Sequence, residues 1–152
     1  MIPDLNDGVL PEGVHACTLE ELDVVFGGFS RTDQRPNLMR RLRSYVDEAR
    51  AAANVQAVIV DGSYITAKEE PGDIDLLLVL KREIDLAEDL RPADYNVQSK
   101  RMVKKLYGFD IFTAVDGGAA YEGFVNFFAN VKVSETHSYT SKPRKGLLRI
   151  EL

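Results

Sequence analysis

Residues 58–80 read VIVDGSYITAKEEPGDIDLLLVL, and the fold is read outward from them. Val58-Ile59-Val60 is a short apolar run of the kind that forms a buried strand. Gly62-Ser63 interrupts it, and glycine suits a sharp turn in which backbone approaches another group closely. Asp73-Ile74-Asp75 then opens a second strand. Side chains alternate faces along a strand, so Asp73 and Asp75 are expected to point the same way. Leu76 to Leu80 is apolar at every position, which predicts burial on both faces. Two like charges at the mouth of a dry strand are unfavourable unless a cation or partner offsets them.

Away from this centre, residues 1–17 are rich in Pro, Gly, Asp and Asn and predict an irregular arm. Thr18 and Glu21 form a capping-box pattern ahead of a short helix that buries Leu19, Leu22, Val25 and Phe26 and ends at Gly27-Gly28. A loop from Phe29 to Arg35 leads to a long helix starting at Pro36, with Leu38, Leu42, Tyr45, Val46 and Ala49 on one face and Asn54 as its stop. A strand over Val55–Val60 follows. Lys81 to Leu90 reads as a loop or a ragged short helix. Pro92 starts a further helix, with Tyr95, Met102, Val103 and Leu106 inward and Gly108 as C-cap. Phe109 to Val115 reads as a strand with Asp110, Phe112 and Ala114 on one face. Phe124, Phe127, Phe128 and Val131 are spaced for an amphipathic helix. The last residues, LLRIEL, predict an edge strand. The expected architecture is α/β (α+β): one domain over 1–152, its core at about 36–131, with a small mixed β-sheet flanked by helices and a tail from 132 to 152.

Three carboxylates stand out: Asp73 and Asp75 on one strand and Asp110 on another. Adjacent strands would bring them together. Hard divalent ions take oxygen ligands, usually one or two carboxylates plus substrate phosphates, and a pair of such ions can clamp an in-line phosphoryl displacement. The ordered set of Gly62-Ser63, nine residues, Asp73-Ile74-Asp75 and a later Phe109-Asp110-Ile111 resembles the DNA polymerase beta nucleotidyltransferase superfamily. The likeness covers the central third to half of the chain. It implies a nucleotidyltransferase-like fold, with phosphate held by Gly62 and Ser63 and Mg²⁺ or Mn²⁺ held by Asp73, Asp75 and Asp110. With two such ions, Asp75, in the middle, is the natural bridging ligand and Asp110 orients or deprotonates the nucleophile. Arg101, Lys104 and Lys105, near a helix C-terminus, read as a solvated basic face, with a triphosphate contact through Lys104 as the sharper reading.

The size is that of minimal nucleotidyltransferases. Leu10–His15 and Lys145–Leu148 also resemble segments of short bacterial proteins with this core. What the resemblance implies is transfer of a nucleoside monophosphate from a triphosphate, with ATP expected, onto a protein or RNA hydroxyl. The enzyme would serve as the antitoxin of a toxin–antitoxin pair whose partner is a HEPN-type toxin. The alternatives are a catalytically silent binding module that neutralises its partner by contact, and a toxin that extends tRNA; a homo-oligomer stays open.

A net charge of −5 in 152 residues disfavours a protein that lives on nucleic acid backbone. Cys17 is the single cysteine, which rules out an internal disulfide and fits a reducing, cytoplasmic setting. The opening MIPDLNDGVLPEG lacks the basic and apolar regions of a signal peptide, and no apolar run approaches a membrane span. Cys17 reads as a small core residue and Asp61 as a turn residue. Lys142, Arg144 and Lys145 read as a mobile basic tail. His15 and His137 lie too far apart in sequence to suggest a metal cluster.

Overall fold

The structure is a computed structural model that describes residues 1–28, 31–83 and 90–152. It is an α+β fold built on a five-stranded mixed sheet. In chain order the elements are β1 (Val14–Ala16), α1 (Leu19–Phe26), α2 (Gln34–Arg50), β2 (Val55–Asp61), β3 (Asp75–Leu80), α3 (Pro92–Gln98), α4 (Lys100–Tyr107), β4 (Asp110–Val115), α5 (Ala119–Phe128) and β5 (Leu147–Glu151). Single 3-10 turns lie at Ser63–Ile65 and Val133–Glu135. The sheet order is β1-β5-β2-β3-β4. β2 is antiparallel to both β5 and β3, whereas the outer pairs, β1 with β5 and β3 with β4, are parallel.

The apolar runs do what their composition demands. Leu76, Leu77, Leu78 and Val79 are fully buried, as are Ala57 to Val60 opposite them. A central strand is covered on both faces, so neither side-chain row can be polar. α5 lies over the face that carries Phe112: the ring packs on Phe124 and Phe128, each 5.3 Å away between centroids. Tyr45 joins α2 to α3 and α4. Its hydroxyl donates to Val97 O at 2.7 Å and its ring meets Tyr107 edge-on.

Several elements differ from the sequence reading, each for a local reason. The arm at 1–17 contains β1, which pairs with β5, and Asn6 bridges Val9. The tail strand β5 is therefore interior, between β1 and β2, rather than an edge. The core also extends past 36–131 to Leu10, Leu19, Leu22, Phe26, Leu147, Leu148 and Ile150. β3 begins at Asp75, which leaves Asp73 in the preceding loop. α2 starts two residues before Pro36, which the first turn tolerates because its N–H groups have no intrahelical acceptor. The helix from Pro92 breaks at Ser99, whose hydroxyl caps α4 through Met102 N. The break turns Val97 and Val103 inward and leaves Tyr95 and Leu106 about half exposed. Val25 is partly exposed and Val131 lies beyond the end of α5. The predicted capping box at Thr18, the left-handed C-cap at Gly108 and the burial of Cys17 are present, and burial pushes the Cys17 thiol up to about 12. The expectations for residues 29–30 and 84–89 lie outside the described residues.

Arg35, read as the end of a loop, is fully buried on α2. Its guanidinium donates to Phe26 O at 2.9 Å, Tyr64 O at 2.6 Å, Thr66 O at 2.8 Å and Lys68 O at 2.5 Å. Its fan of donors matches a loop whose alternate carbonyls turn inward. Burial lowers its pKa to about 10, so it remains charged at neutral pH. Replacing it removes the donors and strands four carbonyls. Arg35→Met is expected to destabilise the fold by about 3 kcal/mol in urea unfolding, with Arg35→Lys recovering less than half.

Candidate active site

Three strand ends meet at one edge of the sheet. Asp61 closes β2, Asp75 opens β3 and Asp110 opens β4. The register pairs Asp61 with Asp75 and Asp75 with Asp110. Direct register partners project to the same face, so the three carboxylates form one row across adjacent strands. Asp73 reaches the row from the loop before β3. Carboxylate oxygens of Asp73, Asp75 and Asp110 all lie within 4.8 Å of one another. The trio read from the sequence is therefore brought together, although Asp73 arrives from a loop.

The Gly62-Ser63 turn stands beside it. Gly62 has φ +98°, and a Cβ there would sit 3.2 Å from Asp73 O and 3.4 Å from Asp75 N. Glycine is needed twice over, for the positive φ and for the close approach to the aspartate backbone. Ser63 O accepts from Thr66 N at 3.2 Å and Thr66 Oγ1 at 2.5 Å, which fixes the turn from behind. Ile74 N donates to Asp73 Oδ1 at 2.8 Å and holds that carboxylate in place.

Both features line one cavity of about 420 Å³. Phe112, Phe127 and Phe128 form an apolar wall of it, and Lys100, Lys132 and Lys145 bring positive charge to it. Lys104 stands outside that wall. Its ammonium is 3.4 Å from Asp110 Oδ1, with both side chains more than half exposed. The α4 lysine that lines the cavity is Lys100, one turn earlier, with its ammonium 4.2 Å from the centre of the Phe112 ring.

Three residues here correct the sequence reading. Asp61 is a buried strand residue rather than part of a turn, and Lys145 is buried rather than part of a mobile tail. They form an ion pair at 2.7 Å. Arg144 is held as well, by Glu12, Asn126 and Asn130. The signal for Asp61 was local, a charge directly following the apolar run that ends at Val60. The signal for Lys145 was slight, a lysine two residues before an apolar strand.

The row has an uneven charge balance. Asp61 has Lys145 and Asp110 has Lys104, whereas Asp75 in the middle makes no ion pair among the described residues. Burial, and then the charges of Asp61, Asp73 and Asp110, push the Asp75 carboxyl up to about 6. Burial also raises Asp61, against the pull of Lys145. An all-oxygen donor set at this spacing fits a hard divalent cation.

A family model described as "Family of unknown function (DUF6932)" matches residues 3–151, and the chain belongs to that family. No curated protein and no solved structure matches it. No helix among the described residues is long and apolar enough to cross a membrane.

Because the folded pKa of Asp75 lies above its ordinary 3.8, its contribution to stability is full below that value and is lost as pH rises through about 6. Asp75→Asn is therefore expected to be more stable than the wild type in EDTA at pH 7. The expected gain is about 1 kcal/mol, discounted because the group is only half buried. The gap should close near pH 4 in paired urea titrations; a constant gap would count against like-charge crowding.

Proposed function

We propose that this protein is a minimal Mg²⁺-dependent nucleotidyltransferase of the DNA polymerase beta type. It moves a nucleoside monophosphate from a triphosphate, ATP in the first instance, onto a protein or RNA hydroxyl and releases pyrophosphate. The observation that carries the reading is one cavity containing three convergent carboxylates and a Gly-Ser turn held against them. Asp73, Asp75 and Asp110 are the residues that hold the metal. When bound, it neutralises the triphosphate and makes the attacking hydroxyl more acidic.

The chain's own groups divide the remaining work. The backbone N–H groups of Gly62-Ser63 and the Ser63 hydroxyl hold phosphate oxygens. Lys100 and Lys132 add positive charge along the cavity for the rest of the triphosphate. Asp110, on the open side of the row, orients the acceptor hydroxyl and takes its proton. Rate enhancement comes from positioning and charge complementarity rather than from a protein nucleophile. The acceptor is a macromolecule, with a toxin partner the leading choice, because a nucleotide would fill the cavity and the described residues build one sheet with no second lobe to hold a small acceptor. A lone, buried cysteine accords with a reducing cytoplasm.

The test is label transfer. Purified protein is incubated with each labelled nucleoside triphosphate, Mg²⁺ or Mn²⁺, and cell lysate or a candidate toxin. Asp75→Asn is expected to lower transfer by at least about 100-fold, and Ser63→Ala to weaken nucleotide binding measured by calorimetry. Transfer that survives Asp75→Asn, or the absence of metal-dependent nucleotide binding, would sink the reading.

A further inference from the structure

Among the described residues two cations are buried, Arg35 and Lys145. Arg35 is accounted for by the loop carbonyls it holds. Lys145 holds one carbonyl, Phe128 O, and is set against a carboxylate, and its place is built with care. Lys145 N donates to Ala129 O at 2.8 Å and Gly146 N to Leu10 O at 2.9 Å. A Cβ on Gly146 would fall 2.0 Å from Pro11 O, so only glycine lets the chain cross there. The lysine thus delivered lines the cavity. Its ammonium touches Asp61 Oδ1 at 2.7 Å and Phe128 O at 2.6 Å.

Stability does not account for this pair. A buried ion pair gains little over an apolar pair of the same volume, because both charges lose their hydration. Its position in the row does give it a purpose. Asp61 is the register partner of Asp75, so free of Lys145 it would be a fourth carboxylate beside the other three. The number of ligand charges tunes how tightly an oxygen site holds a divalent cation. A four-carboxylate cage would hold its ion closed off, whereas a three-carboxylate site keeps positions for oxygens of a second ligand.

We propose that Lys145 sets the charge of the acidic centre: locked onto Asp61, it withdraws a fourth carboxylate and leaves an open, three-carboxylate cation site. This rests on the metal-binding reading above. Lys145 is a positioning residue in it, acting through Asp61 rather than on substrate.

The experiment is calorimetric titration of Mn²⁺ into the full chain without nucleotide. It compares the wild type, Lys145→Met, Asp61→Asn and the double variant Asp61→Asn/Lys145→Met. Lys145→Met should bind Mn²⁺ at least about fivefold more tightly and Asp61→Asn at least about fivefold more weakly, since each leaves one uncompensated charge beside the site. The double variant, with neither charge, should return to within about twofold of the wild type. A folded Lys145→Met with unchanged or weaker binding overturns the proposal, because a merely structural pair predicts that result. Should Lys145→Met fail to fold, weaker binding by Asp61→Asn with recovery in the double variant upholds it, and any other result overturns it. If the wild type binds no Mn²⁺, the metal-binding reading falls and this proposal with it. If the wild type binds and the pair is indifferent, this proposal alone falls.

Discussion

Like charges in register are the constraint on which the rest of this structure depends. Asp61, Asp75 and Asp110 occupy one row because β2 ends where β3 and β4 begin. Behind Asp61 and Asp75, β2 and β3 are apolar and buried on both faces, so that part of the row cannot rearrange without moving the core. β4, by contrast, is an edge strand buried mainly through Ile111 and Ala114. The charges are balanced at the two ends, by Lys145 and Lys104, and left unbalanced in the middle. The imbalance is greatest around Asp75, with Asp73 leaning in from the loop.

Keeping the row in order takes parts drawn from the whole chain. Gly62 lets the β2–β3 connection fold tightly against Asp73–Asp75. Arg35, on a helix far earlier in sequence, anchors the next stretch of that connection through the carbonyls of Tyr64, Thr66 and Lys68. The segment before β5 brings Lys145 to Asp61 and is tied to the end of α5 and to the N-terminal arm. Local disorder anywhere in this set would loosen the acidic row, which is how a change at Arg35 or Gly146 reaches carboxylates it does not touch.

The aromatic wall sits beside the acids for a related reason. Phe112 follows Asp110 by two residues, so alternation places both on the face that α5 covers. Phe128, at the end of that helix, packs its ring on Phe112 and is buried, while Phe127, one residue earlier, is turned outward and is two-thirds exposed at the cavity. One cavity therefore brings carboxylates, lysines and an apolar surface together.

Local chemistry made much of this legible from the sequence alone. A short unbroken apolar run bounded by turn residues reads as a buried strand, a threonine with glutamate three residues on caps a helix, and Gly62 and Gly108 mark a sharp turn and a helix end, both of which take positive φ. The trio Asp73, Asp75 and Asp110 was legible too, as charges at the mouths of apolar strands. Pairing across distance was not. That β5 enters the middle of the sheet, that Lys145 is drawn from the tail onto Asp61, and that Lys100 rather than Lys104 faces the cavity follow from contacts between residues far apart in the chain. Each side chain's environment there depends on what packs against it, and no spacing along one strand or helix records that.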